Sequence, residues 1–220
     1  MSRQRQDVGA DSAVRGRIID AAFAAFMKSG YARTSTLEIA TRARVSKREL
    51  YALVGNKQKM LIACIRERAG RLQAPPDMPA PRDRETLEHA LASFGTQIVH
   101  EVSDPTVIAV FRLAIAEAVH APAVARTLDS AGREISRVAL RQIMENARSS
   151  GLLEGSPAAL AEQFRGLLWG DLFVSLLLGV AARPNAREAA ERAREAAAAF
   201  IRVHQTPKPG ARPPRPHPLP

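Results

Sequence analysis

Apolar residues recur every three or four positions along most of the chain, and no useful stretch alternates with the period of two that marks a strand. The pattern predicts an all-α protein. From Asp11 to Ser29, residues Ile18, Ala22 and Phe26, with Ile19 and Phe23 beside them, make one apolar face, and Gly30 stands where a glycine closes a helix. Two short helices follow at 36–43 and 47–53, joined by Arg44, Val45 and Ser46. Ser35 and Glu38 stand three apart, as do Ser46 and Glu49, and each pair fits a capping box. Asn56 fits the cap of a helix over 57–72. Asp104-Pro105 and Ser156-Pro157 each set a capping side chain before a proline at the first helical position. Asn185 and Glu188 open a last helix reaching about His204. Between these starts, 107–119 is apolar nearly all round and reads as a central, buried helix, and 157–180 reads as one continuous helix.

Proline divides this helical pattern. The stretch QAPPDMPAPRD at 73–83 holds four prolines and separates a first block, 12–72, from a second, 84–204. The end of the chain, 205–220, holds seven prolines and reads as an extended, disordered basic tail.

Composition narrows the class. With 46% hydrophobic residues the chain folds, and its one cysteine, Cys64, allows neither an internal disulfide nor a cysteine-based metal cluster. The apolar run at 167–182 is interrupted by Asp171 and is too short for a membrane span. The N-terminus has no secretory apolar segment, so a cytoplasmic protein that does not engage membranes is expected. The formal charge of +10 is unevenly placed. Residues 1–60 carry 12 basic and 5 acidic side chains, 61–205 carry 17 of each, and 206–220 carry 3 basic and none acidic. A basic N-terminal module on a neutral body points to a polyanion met by the smaller part.

Within that module the two short helices have the layout of a helix-turn-helix, with Leu37, Ile39, Ala40, Ala43, Val45 and Leu50 facing the first helix. The segment GRIIDAAFAAFMKSGYARTSTLEIATRARVSKRELYALVGNKQKML at 16–61 resembles the DNA-binding domain of the TetR family of transcriptional regulators. The resemblance is carried by Ala22 and Phe26, Gly30-Tyr31, Thr34 to Thr36, Ile39-Ala40, Val45-Ser46, Leu50-Tyr51 and Asn56-Lys57. It implies that Thr36 and Tyr51 meet phosphate, that Lys47 and Arg48 at the exposed start of the second helix read base edges, and that Lys57 clamps a phosphate. Ser35, Arg44, Ser46 and Glu49 complete the expected DNA-binding set.

Three departures from the family pattern matter. Arg44 stands where the family usually has glycine, so a left-handed backbone there costs roughly 1–2 kcal/mol, which a phosphate contact would offset. Glu49 replaces a small residue; its spacing from Ser46 favours capping, while a cytosine amino group is the alternative partner. Leu53 and Val54 replace an aromatic or histidine followed by phenylalanine, which leaves a smaller core and one phosphate contact fewer.

The second block resembles the AefR-like C-terminal domain of the same family, carried by 103–125 and 148–170. This implies a helical ligand-binding and dimerisation module, and hence a small-molecule effector and a homodimer. Candidate pocket residues by type are Phe94, Ile98, Phe111, Ile115, Met144, Trp169 and Phe173, with Arg112 and Glu117 either as a polar anchor or as a structural network. Gly166 and Gly170, with the alanines at 189, 190, 193, 196 and 197, suggest a four-helix dimer interface built from the last two helices.

His89, Ser93, Thr96 and His100 form a polar stripe, but no three-ligand set stands at metal spacing, and no cofactor is implied. No nucleophile–base pair or phosphate-cradling glycine loop is visible either, so an enzyme is not expected. The reading is a ligand-released homodimeric repressor on a roughly palindromic double-stranded operator. The alternative is a sequence-indifferent, architectural DNA-binding protein.

Overall fold

The structure, a computed structural model, describes residues 2–69 and 80–204. Among them all regular structure is helical. The elements are α1 (Ser2–Ser29), α2 (Thr36–Ala43), α3 (Lys47–Leu53), α4 (Lys57–Ala69), α5 (Arg84–Val102), α6 (Pro105–Ala116), α7 (Pro122–Leu128), a π-helical turn (Asp129–Arg133), α8 (Glu134–Ser149), α9 (Pro157–Trp169), α10 (Leu172–Leu178) and α11 (Ala186–Val203). The end of the helix expected over 57–72, most of the proline-rich stretch and the tail at 205–220 lie outside the described residues.

The short helices match the sequence reading, and the cap chemistry explains why. Ser35 Oγ accepts from Glu38 N–H and Ser46 Oγ from Glu49 N–H, each at 3.1 Å, and Asn56 Oδ1 accepts from Lys59 N–H at 2.9 Å. Reciprocal boxes form at Asp83–Thr86 and at Asn185–Glu188. At Ser35 and Ser46 only the forward bond forms, so Glu49 caps through its backbone and its exposed carboxylate stays outside the cap. Ser156 precedes Pro157 as expected but makes no side-chain cap bond.

Two hydrophobic cores organise the molecule. One gathers α5, α8, α9 and α11 around Phe94, Phe164 and Phe200. The other gathers α1 to α4 around Ile18, Phe26 and Leu50, and it continues into α6, α7 and the π turn through Val110, Leu113, Val124, Leu128 and Ala131. The cores therefore do not part at the proline-rich stretch: α6 and α7 lie beyond it in sequence but bury their apolar faces on the helix-turn-helix side. The central, buried helix expected over 107–119 is therefore corrected: α6 ends at Ala116, its Ile115 is 61% exposed, and Val119 beyond it is 85% exposed.

A second correction concerns 157–180. Gly170 has φ 45° and ψ −127°, a region closed to side chains, and it breaks the helix into α9 and α10. Arg192 of α11 donates to the carbonyls of Leu168 and Trp169 at 3.1 and 3.3 Å, holding the open end of α9. A third concerns α11. Its Ala189, Ala193, Ala196 and Ala197 are buried within the chain, and an added Cβ on Gly95 of α5 would stand 3.2 Å from the Ala193 methyl. The alanine face is core, so it supplies no surface to a partner.

Candidate DNA-binding face and interior cavity

The turn between α2 and α3 is closed by a Schellman pattern. Val45 N–H bonds the Ala40 carbonyl at 3.0 Å and Arg44 N–H bonds the Thr41 carbonyl at 3.2 Å, which forces Arg44 to φ 56° and ψ 48°. It is the one non-glycine residue with positive φ among those described. The strain read from the sequence is present, and the guanidinium is exposed beside Arg17 and Arg42 in a shallow groove between α1 and α2. Arg17 and Arg42 were not anticipated; only their basic character in a basic module could have signalled them.

α3 buries Leu50 and turns Lys47, Arg48 and Glu49 outward, all exposed. Neither Lys47 nor Arg48 pairs with a described residue, so both cations are available to an incoming polyanion. The Thr36 hydroxyl lies 3.3 Å from the Tyr51 hydroxyl, which links the start of α2 to α3 and leaves two polar groups side by side at the surface. Ser35 and Ser46, in contrast, spend their hydroxyl acceptors on caps.

Lys57, expected at a phosphate, is engaged within the chain. Its Nζ donates to the carbonyls of Tyr31, Ala32 and Thr34 at 3.0, 3.2 and 3.2 Å and lies 4.6 Å above the Tyr31 ring. An ammonium has three protons, and here all three are taken. Lys57 ties the α1–α2 loop to the start of α4. Buried Thr34 fastens the same loop from the other side, its one hydroxyl proton reaching the Gly30 carbonyl at 2.7 Å with the Ala25 carbonyl at 3.1 Å.

Between the two cores lies a cavity of about 340 Å³. It brings together Ile98, Phe111, Trp169 and Phe173 of the residues anticipated from sequence. Phe111 meets Phe173 edge-on at 5.0 Å, and Trp169 lies 5.3 Å from Phe173. Ile65 of α4 and Val107 and Val110 of α6 close the wall toward the helix-turn-helix, while Arg133, Ser136, Glu162 and Arg165 add polar groups. None of these was legible beforehand, because nothing in periodicity says which buried residues border empty space.

Five anticipated pocket residues lie elsewhere. Phe94 and Met144 are fully packed in the α5–α8–α9–α11 core. Ile115 points away from the cavity into a shallow surface dent. Arg112 Nε and Nη2 donate to the carbonyls of Leu177 and Leu176, both at 2.9 Å, which closes the C-terminal end of α10. Glu117 accepts from Ala32 N–H on the α1–α2 loop at 3.2 Å. Arg112 thus caps α10, and Glu117 ties the end of α6 to the α1–α2 loop within the helix-turn-helix-side core. Among the described residues no group of three His, Cys, Asp or Glu could hold a metal, and no helix is long and apolar enough to cross a membrane.

A basic helix-turn-helix head joined to a helical body with a cavity open on one side defines a DNA-binding transcription regulator. Residues 18–64 match the family description "Bacterial regulatory proteins, tetR family", and 89–206 match "AefR-like transcriptional repressor, C-terminal domain"; the chain belongs to the TetR family. Solved structures agree. The flavonoid-responsive regulator FrrA is 28% identical with a TM-score of 0.73, over 88% of this chain and 98% of that one. A TetR transcriptional regulator from Agrobacterium tumefaciens is 25% identical with a TM-score of 0.72, over 88% and 96%. One from Pseudomonas syringae pv. tomato, 24% identical with a TM-score of 0.66 over 89% and 98%, shares the fold. No curated protein matches the chain.

Proposed function

We propose that the protein is a cytoplasmic, ligand-released repressor that binds a roughly palindromic operator as a homodimer. The observation that carries this reading is the position of the cavity. Its wall includes Ile65, on the same helix whose first residue, Lys57, holds the α1–α2 loop, and it includes α6, whose end holds that loop through Glu117. An occupant that bears on α4 and α6 changes the placement of α3. It releases DNA by as much as its affinity differs between the two arrangements. The printed name of the 28%-identical FrrA, a flavonoid-responsive regulator, supports a small-molecule effector.

Base reading falls to Lys47, Arg48 and the free carboxylate of Glu49, and backbone contact to Thr36, Tyr51 and Arg44. With the alanine face buried, the surface favoured for dimerisation is the apolar outer side of α9 and α10, where Leu167 and Leu178 are exposed and Val174 borders the mouth of the cavity. Two-fold pairing there presents two α3 helices to successive major grooves.

Selection of DNA sites from a random pool, followed by sedimentation of protein with the selected site, tests the reading. Paired half-sites about one helical turn apart, bound by a protein dimer, are expected. Recovery of unenriched DNA, with equal affinity for random sequence, would favour the architectural alternative.

A further inference from the structure

We infer that the occupant of the cavity is an amphiphilic organic anion: a ring system lying against Phe111, Trp169 and Phe173, with a carboxylate or ionised phenol held by Arg133 and Arg165. This rests on the reading of the cavity as an effector site and adds the chemical class of the effector.

The apolar part of the wall sets the body of the ligand. Phe111 and Phe173 meet edge-on and Trp169 is tilted against Phe173, so three rings present faces and edges at different angles. A ring finds both kinds of partner there, as aromatic quadrupoles prefer. Gly166 lines the same space, and a Cβ added to it would meet no atom within 4 Å. The wall there is bare backbone.

The polar part sets the head group. Arg133 spends Nη1 on Asp129 Oδ1 at 2.9 Å, and Arg165 spends Nη1 on Glu162 Oε1 at 2.6 Å. A guanidinium carries five N–H donors, so each arginine keeps most of its donors unspent at the rim of an apolar space. Asp129 is shared, accepting also from Arg137 at 2.9 Å, which pairs in turn with Glu134 at 3.6 Å. Burial, and next the nearby Arg137, push the Arg133 guanidinium below its ordinary value; Asp129 acts against this, Arg165 adds to it and Glu162 opposes it. An entering anion accepts the spare donors in a bidentate fork. A neutral apolar ligand would desolvate those donors and leave them unmet, and a cation would face two guanidinium groups against the one carboxylate of Glu162.

The chain's only tryptophan is Trp169, so its emission reports occupancy of this one place. The probes are biphenyl-4-acetate, its neutral amide and dodecanoate, each titrated into the full chain by calorimetry and by Trp169 fluorescence. The acid is expected to bind about tenfold or more tightly than the amide, the worth of one charge-assisted hydrogen-bond pair. Arg165→Met should erase that advantage while leaving amide binding unchanged. Gly166→Leu, which has room for its side chain, should weaken all probes while the protein stays folded. Equal affinity of acid and amide in the unsubstituted protein would overturn the anionic head group and leave the effector site standing. Tighter binding of dodecanoate than of the biphenyl acid would overturn the ring system. No response to any probe at millimolar concentration would overturn this inference and the effector reading together.

Discussion

Glu117 Oε1, at the end of α6, accepts the Ala32 backbone N–H at 3.2 Å across 85 residues of sequence. A Cβ on Gly30, which has φ 80°, would lie 2.9 Å from the same oxygen. The glycine that closes α1 is therefore favoured by its backbone, and a side chain there would also push the Glu117 carboxylate off its place. Beside it, burial first and the Glu117 charge second push the Tyr31 phenol up. One carboxylate thus joins a helix that lines the cavity to the loop that precedes the helix-turn-helix.

Glu117→Ala should free the Ala32 amide. The site is exposed, so the stability lost is about 1 kcal/mol or less. Hydrogen exchange at Ala32 should nevertheless accelerate, and Glu117→Gln, which keeps an acceptor, should restore protection. Unchanged exchange in Glu117→Ala would show that the tether does not hold in solution.

Arg44 separates a strain effect from a charge effect. Arg44→Gly removes the left-handed penalty, so the melting temperature should rise, reflecting about 1 kcal/mol after the extra entropy of glycine is counted. If the guanidinium meets a phosphate, the slope of log affinity against log salt should fall by about one unit per half-site. A stabilised variant with an unaltered slope would leave the strain real and remove the phosphate contact.

The elements legible in the sequence are those governed by local chemistry. The ends of α2 and α3 follow from Ser35, Ser46 and the short apolar pattern, and the left-handed Arg44 follows from a turn that wants glycine. What stayed hidden depends on the third dimension. The alanine periodicity of α11 says that one face is buried but not whether a partner or α5 covers it. Gly170 breaks a run that is helical in composition, because only its unusual backbone reveals the break. The donors of Arg112 and Lys57 reach main-chain carbonyls distant in sequence, which no local pattern announces.

That placement of Lys57 changes what its removal should do. Lys57→Ala leaves three carbonyls without their shared donor and loosens the α1–α2 loop. We expect a loss of about 2 kcal/mol in stability and weaker DNA binding, with little change in salt slope. Arg48→Ala should do the opposite: stability unchanged, and discrimination between selected and random DNA reduced by about 1–3 kcal/mol. Thermal melts alongside salt-titrated binding distinguish them. A lower salt slope with unchanged stability in Lys57→Ala would return the lysine to the phosphate backbone.

The joint between α5 and α6 carries a pH dependence. Asp104 caps α6, its Oδ1 accepting from Thr106 N–H at 2.9 Å, and Arg183 stands 3.3 Å from the other oxygen. Burial, the largest single influence, would raise the carboxyl, but the bonds from Thr106, the Arg183 charge and the Val107 N–H together hold it below its ordinary value. A carboxyl lowered on folding contributes stability that is full above the unfolded value of about 4 and is lost as pH falls through the lower folded value. Asp104→Asn keeps a good capping side chain and deletes only the charge. The protein should exceed this variant in stability at neutral pH by less than about 1 kcal/mol, since both partners are partly exposed. That margin should close as the pH falls below about 4, and it should shrink with added salt at neutral pH. A margin that persists unchanged into acid would mean that the carboxylate acts at the α6 terminus by shape alone, with Arg183 held in place by the His100 carbonyl it also reaches at 3.1 Å.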